Sequence, residues 1–339
     1  MTNVKKFSFA LLIAIVVLLF GYHFWNTKSV EPLAEPITDT KNTSTTQANN
    51  STAPLVNMAE FKTKLPLLPG KKHYDDDWCI ANEELSESNL LYAKVELKDW
   101  YEALGMAGIG IDKTSSKHVE NYSNYVYVEP YESLPINELQ TLALNGNKWA
   151  MVAFVQDDRA DFSYREDVAN QLMVQGASYY ALKFLTMKSL SDAYTKASSE
   201  HSEEDVMKHI VDALAYVYWG LESYNEGAIN VFLQLYSTPV YKEHLPFEKV
   251  FLESSKQVNQ RLEELNNWIL KERIDKGITA PEPPAAINKL IANKIAFKES
   301  LYAEEMKQLR QLNVSATKKI QITPCIEKFM EKTVKYSNN

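Results

Sequence analysis

The chain has 339 residues, 45% of them hydrophobic and 24% charged, with a formal net charge of −8. That length holds one large domain or two small ones. The acidic balance excludes the basic footprint of a nucleic-acid binder and a broad cationic face for anionic lipid. Ten glycines against abundant Leu, Ala, Glu, Lys and Tyr favour helices over a many-turned β fold, so an all-α protein is expected.

Residues 7–25 run from Phe7 to Trp25 without a charge. A membrane helix needs roughly 20 apolar residues, and this run meets that length. Lys5 and Lys6 precede it, which by the positive-inside rule keeps residues 1–6 in the cytoplasm. Tyr22 and Trp25 fall where an interfacial aromatic belt belongs. A cleaved signal peptide needs small residues after its apolar core; Tyr22, His23, Phe24 and Trp25 are bulky. An uncleaved signal anchor is therefore expected, with the rest of the chain across one membrane.

Residues 26–57 read as a linker. The stretch from Asn42 to Pro54 is rich in Thr, Asn and Ser, lacks apolar periodicity and cannot offset its ordering entropy. Some thirty such residues reach about 30 Å on average and ~100 Å when stretched. Asn42-Thr-Ser and Asn50-Ser-Thr match the N-glycosylation sequon, which matters only in a eukaryotic secretory host.

Residues 58–135 form an irregular and helical region. The triplet Asp75, Asp76, Asp77 lacks the alternating spacing of a calcium loop and fits a solvated turn. One or two helices are expected over 81–104. Gly105, Gly108 and Gly110 then mark a helix stop, since no strand precedes them and their order is not that of a phosphate-binding loop. Tyr125, Val126, Tyr127 and Val128 give 119–131 the propensity of an extended segment ended by Pro130. Helices follow over 136–238. A long helix is expected over 244–275, with Phe251, Val258, Leu262, Leu265 and Ile269 on one stripe. Gly277 and the turn from Pro281 to Pro284 stop it, and a second long helix over 285–312 completes a hairpin within 239–339.

Cys79 and Cys325 both fall beyond the anchor, where oxidation is permitted. A disulfide between them would close a long loop and contribute ~4 kcal/mol or more in the chain-entropy model. Two buried free thiols are the alternative. A metal pair does not fit, for want of a neighbouring His cluster.

Internal periodicity appears over 136–238. Leu142–Val155 aligns with Leu172–Leu185, pairing Gly146 with Gly176, Trp149 with Tyr179 and Phe154 with Phe184. A third copy centres on Gly227, after Ala215-Tyr-Val-Tyr-Trp219. The glycines would end the first helix of each pair in the left-handed conformation, and Ala150, Ala153, Ala177 and Ala181 would let the next helix approach closely. The thirty-residue offset is near that of tetratricopeptide units.

Two junctions resemble Sel-one-like repeats, a tetratricopeptide-type family of bacterial envelope and secreted proteins. They are Leu139–Met151, and Ala215–Trp219 with Glu226–Ile229. The resemblance covers about 100 residues. It implies an α-solenoid that binds proteins or peptides, with no catalytic residues and no cofactor to carry over.

Candidate chemistry is sparse. Glu222 lies in Leu221-Glu-Ser-Tyr-Asn225, similar to the Glu-Ser-x-x-Asn helix end of lytic transglycosylases, where Glu is the general acid. The spacing to Asn225 is one short, and an exposed helix end is the plainer reading. His201 and His209 flank a cap-like Ser202-Glu-Glu-Asp205 and fit ordinary surface positions. Trp149, Tyr179, Tyr180, Tyr216, Tyr218 and Trp219 fit either core packing or aromatic anchors in a concave groove.

The expectation is a single-pass protein of the bacterial inner membrane, its helical domain in the periplasm, binding an envelope protein or peptide. The alternatives are a cell-wall lytic enzyme using Glu222 and a structural coiled-coil oligomer.

Overall fold

The computed structural model describes residues 98–106, 125–199, 201–283, 294, 298–322, 324 and 327. The run at 7–25, the linker at 26–57, the Asp75 triplet, Cys79 and Cys325 lie outside the described residues. Among the described residues every regular element is helical, and no helix is long and apolar enough to cross a membrane.

After a helical stretch at 98–103 (α1) come α2 (Tyr125–Glu132), α3 (Ile136–Leu144) and α4 (Lys148–Gln156). Next are α5 (Phe162–Gln175), α6 (Tyr179–Ala197), α7 (Glu203–Glu222) and α8 (Gly227–Tyr236). The set ends with α9 (Pro239–His244), α10 (Phe247–Glu253), α11 (Ser255–Lys276), α12 (Ala303–Gln311) and a 3₁₀ turn, Ser315–Ile320. The extended segment expected at 119–131 is corrected: Tyr125–Glu132 is helical. With no neighbouring strand to supply a ladder, the helix satisfies these backbone groups locally. Val128 enters the core and Tyr127 stacks on Trp149 at 5.0 Å.

Three helical hairpins follow one another, α3–α4, α5–α6 and α7–α8, and each packs against the next. α7 is the centre, touching α6, α8, α10, α11 and the 3₁₀ turn. Accordingly its apolar residues from Ile210 to Leu221 are buried almost all round. Its start is the expected cap: Ser202 Oγ accepts from Asp205 N at 3.2 Å, and three acids occupy the first turn.

The hairpin turns share a backbone solution. Gly146 and Gly176 sit at φ +83° and +85°, the left-handed place after the first helix. The third copy is shifted from the expected register. Its left-handed residue is Tyr224 at φ 52°, and Gly227, three residues on, opens α8 instead.

Two arginines donate to carbonyls at helix ends. Arg165 is buried, and its Nε and Nη2 donate to the Val155 carbonyl of α4 at 3.0 and 2.8 Å. Arg273 of α11 donates to the Val174 and Met173 carbonyls of α5 at 2.8 and 3.2 Å. Pro281 packs over Gly176, so the chain leaving α11 is clasped to the second hairpin.

Neither long C-terminal helix is continuous. The stripe expected over 244–275 is shared by α10 and α11, which break at Ser254 (φ −104°, ψ 13°). Within 285–312, Tyr302 leaves helical geometry just before α12. α12 is held by Tyr218, whose hydroxyl donates to the Leu309 carbonyl at 2.7 Å inside the core. Tyr218→Phe orphans that carbonyl and is expected to cost about 1–3 kcal/mol. Urea denaturation of the full chain in detergent checks it, and an unchanged midpoint would mean the bond is not stabilising.

Candidate functional site

The six aromatics singled out from sequence do not line one surface. Tyr218 and Trp219 are core residues, and burial raises the Tyr218 hydroxyl far above its ordinary value. Tyr216 is half-buried on α7, its hydroxyl pushed up to about 12 by burial, with Arg261 opposing. Trp149 is half-buried between Tyr127 and the Lys148 ammonium, which lies 4.8 Å from its ring centroid. Tyr179 is buried and meets half-buried Tyr180 edge to face at 5.0 Å. Only this last pair belongs to a polar constellation.

That constellation exists because the starts of α6 and α8 are pressed together. Asn225, 1% exposed, donates through Nδ2 to Ser178 Oγ at 3.0 Å and accepts from Gly227 N at 2.9 Å. A Cβ on Gly227 would stand 2.3 Å from the Tyr179 carbonyl oxygen. Hence Tyr179, Tyr180 and Lys183 on α6 face Glu226 and Asn230 around α8. α1 brings Tyr101 to the same place, fixed by Tyr179 N donating to the Leu104 carbonyl at 3.0 Å. The Lys148 ammonium also donates to the Glu102 carbonyl at 2.6 Å. Lys294 and Lys298, one helical turn apart, complete the group.

Glu226 is the hub. Lys294 forms an ion pair with it and lies 5.0 Å from the Tyr101 ring centroid. Burial, the largest single influence, would lower the Lys294 pKa, but Glu226 and Tyr101 together outweigh it and hold the ammonium above its ordinary value. Lys183 and Lys298 fare differently. Burial lowers both, Glu226 only partly offsets it, and Lys294 repels Lys298 further. Lys183 leans on the Tyr179 and Tyr180 rings, 5.8 and 5.4 Å from their centroids. Burial raises the Tyr101 and Tyr179 hydroxyls, so neither supplies an anion. Among the described residues Glu226 is ion-paired with Lys294 alone, and no carboxylate lies within ion-pair distance of Lys183 or Lys298. The Asn230 side chain lies against the Tyr179 hydroxyl, and its oxygen is buried without a hydrogen-bond partner.

Glu222 ends α7, and its carboxylate accepts from Ser315 Oγ at 2.8 Å and from Asn266 Nδ2 at 3.5 Å, tying α7 to the 3₁₀ turn and α11. His201 precedes α7 and is exposed, while His209 is half-buried on it, so the two do not share a helix face. His201 lines a separate cleft of about 400 Å³ with Glu203, Glu243 and His244. Among the described residues no cluster of His, Cys, Asp and Glu has the arrangement to hold a metal ion.

Sequence reasoning reached Tyr179 and Tyr180 but missed Tyr101, Lys183, Glu226, Asn230, Lys294 and Lys298. The available signal was spacing: Tyr179/Lys183, Glu226/Asn230 and Lys294/Lys298 are each one turn apart on a helix.

No protein-family model, no characterised protein and no solved structure matches the chain.

Proposed function

We propose that the chain is a membrane-anchored binding or scaffold module of the bacterial envelope. It is held in the periplasm by residues 7–25 and uses degenerate Sel-one-like helical hairpins over 136–238 to engage a protein or peptide. The observation that carries this reading is the constellation at the α6 and α8 starts, where among the described residues Lys183 rests on two aromatic rings with no carboxylate at ion-pair distance and the Asn230 side-chain oxygen lacks a hydrogen-bond partner. Groups that cost free energy to bury unpaired are retained where a ligand completes them. The hairpin scaffold fixes these groups on helices rather than loops, which limits what ordering costs on binding. The anchor confines the module near the membrane and raises its effective concentration for envelope partners.

Site-specific photo-crosslinking in the host cell tests this. Met187 is exposed one turn beyond Lys183 on α6, and Leu270 is exposed on α11. A photoreactive residue at Met187 is expected to capture one recurrent envelope protein, with little capture from Leu270. Adducts of the chain with itself alone would replace the reading with a structural oligomer. No adduct at Met187 would end it.

A further inference from the structure

We propose that the cleft of about 400 Å³ between the α6–α7 turn and the α9–α10 turn is a subsite for an alkylammonium group, the chemistry of a lysine side chain. This goes beyond the module reading and is separate from the α6–α8 constellation, because Ala197, which lines the cleft, stands at the opposite end of α6 from Lys183.

Direct contacts hold the walls of the cleft together. Lys249 of α10 pairs with Glu203 at the start of α7 at 3.0 Å. The His244 ring at the end of α9 meets the Tyr194 ring of α6 at 5.6 Å between centroids. Both lining histidines are fixed through Nδ1. That of His244 lies 2.9 Å from the Val240 carbonyl, which only accepts, so the nitrogen carries the proton. That of His201 lies 2.8 Å from Ser199 Oγ, whose one proton is committed to the Thr195 and Lys196 carbonyls. Nδ1 donates there too, and in each neutral ring Nε2 is left as an acceptor. Glu243 and Glu203 add two carboxylates, and the pair Glu203 makes with Lys249 is exposed and screened. Among the described residues, every polar side chain lining the cleft thus offers acceptors and no free donor. Such a lining repels an anion and leaves a carbonyl ligand unpaired. A metal ion is not the complement either, since the ligating groups do not converge on one point. An ammonium brings three donors that can serve separate acceptors. The last residue of α6 lines the cleft, and the negative end of that helix favours a cation. The opposing start of α7 is answered by its own acids, Glu203, Glu204 and Asp205. Val206, Leu245 and Pro246 give apolar lining for a methylene stem. The volume is at the small end for a ligand pocket, room for one side chain.

Saturation-transfer NMR on the full chain in non-ionic detergent micelles and mildly alkaline buffer tests the subsite, with Nα-acetyl-lysinamide as the probe. Nα-acetyl-norleucinamide keeps the stem and lacks the ammonium; methylammonium keeps the charge and lacks the stem. Transfer to the lysine compound is expected roughly fivefold or more above that to either. Glu243→Gln should lower it about threefold. Glu203→Gln with Glu243→Gln should abolish the advantage over the norleucine compound. Both positions are exposed, so circular dichroism should show unchanged helicity. Glu263→Gln, exposed on α11 and outside the cleft, should leave transfer unchanged. Equal transfer to the lysine and norleucine compounds, or a double variant that binds like wild type, overturns the proposal. So does an equal loss in Glu263→Gln, since that is diffuse attraction to an acidic chain. Butylammonium separates the two sources of the group. Competition as strong as that of the lysine compound supports the subsite with a free amine as its ligand; weaker competition supports it with a peptide side chain.

Discussion

Gly227→Ala is expected to lower the melting temperature of the full chain well beyond what alanine does at an uncrowded glycine. The added Cβ would meet the Tyr179 carbonyl oxygen at 2.3 Å and its carbonyl carbon at 3.3 Å. Both are backbone atoms at the start of α6, so no side chain can rotate away. Relief requires α6 and α8 to separate, which breaks the bond Asn225 makes to Ser178. Overpacking of a close-packed contact costs typically 1–3 kcal/mol, and a backbone collision sits at the upper end. For a folded part of this size, about 3 kcal/mol corresponds to a fall of roughly 6–12 °C. Gly277→Ala is the control. That residue is left-handed at φ +64° and an added Cβ would meet nothing within 4 Å, so it suffers only conformational strain of ~1–2 kcal/mol. Equal losses in the two variants would show that the α6–α8 approach is not tight.

The same residue shows what the sequence could and could not convey. Glycine after an apolar helical run is a sound signal for a left-handed stop, and it located Gly146 and Gly176. At the third hairpin it misled by three residues, because two physical needs select glycine. Gly227 is there for close approach, and the left-handed place is taken by Tyr224. Its surroundings fix it: Trp100 Nε1 donates to its carbonyl at 3.4 Å and Lys319 to its hydroxyl at 2.6 Å. Those partners are over ninety residues away in sequence, beyond any local pattern. The stripe through Phe251, Val258 and Leu262 likewise marked a buried face but not the break at Ser254, since a seven-residue spacing survives a local kink. The site was the least legible part. Lys183, Glu226, Asn230 and Lys298 each look like an ordinary polar residue on a helix, and only the packing of α6 against α8 gives them shared chemistry.

Arg165 carries the second large expected effect. Its side chain is buried between the rings of Phe162 and Phe184, at 5.5 and 4.7 Å from their centroids, and two of its nitrogens cap the Val155 carbonyl. Asp158 lies 3.5 Å from Nη1, but its side chain is 98% exposed, so that ion pair is screened and contributes little. Burial lowers the arginine's pKa, and what offsets the cost of desolvation is the pair of bonds to the carbonyl and the two ring faces. Removing the guanidinium therefore differs from replacing a buried ion pair by apolar residues, which is often harmless because both charges leave together. Here the Val155 carbonyl stays behind, unpaired at the end of α4. Arg165→Met keeps most of the volume and is expected to cost about 2 kcal/mol, from lost charged hydrogen bonds and an orphaned acceptor. Arg165→Ala adds a cavity between the phenylalanines and should reach about 3–5 kcal/mol. Arg165→Lys keeps the charge but not the forked geometry, and should fall short of wild type as well. Urea midpoints of the three variants in the full chain test the order. A methionine variant as stable as wild type would mean that water reaches Val155 and that the cap contributes nothing. The graded series would instead identify Arg165 as the joint between the first hairpin and the second, on which the position of α6, and with it Lys183, depends.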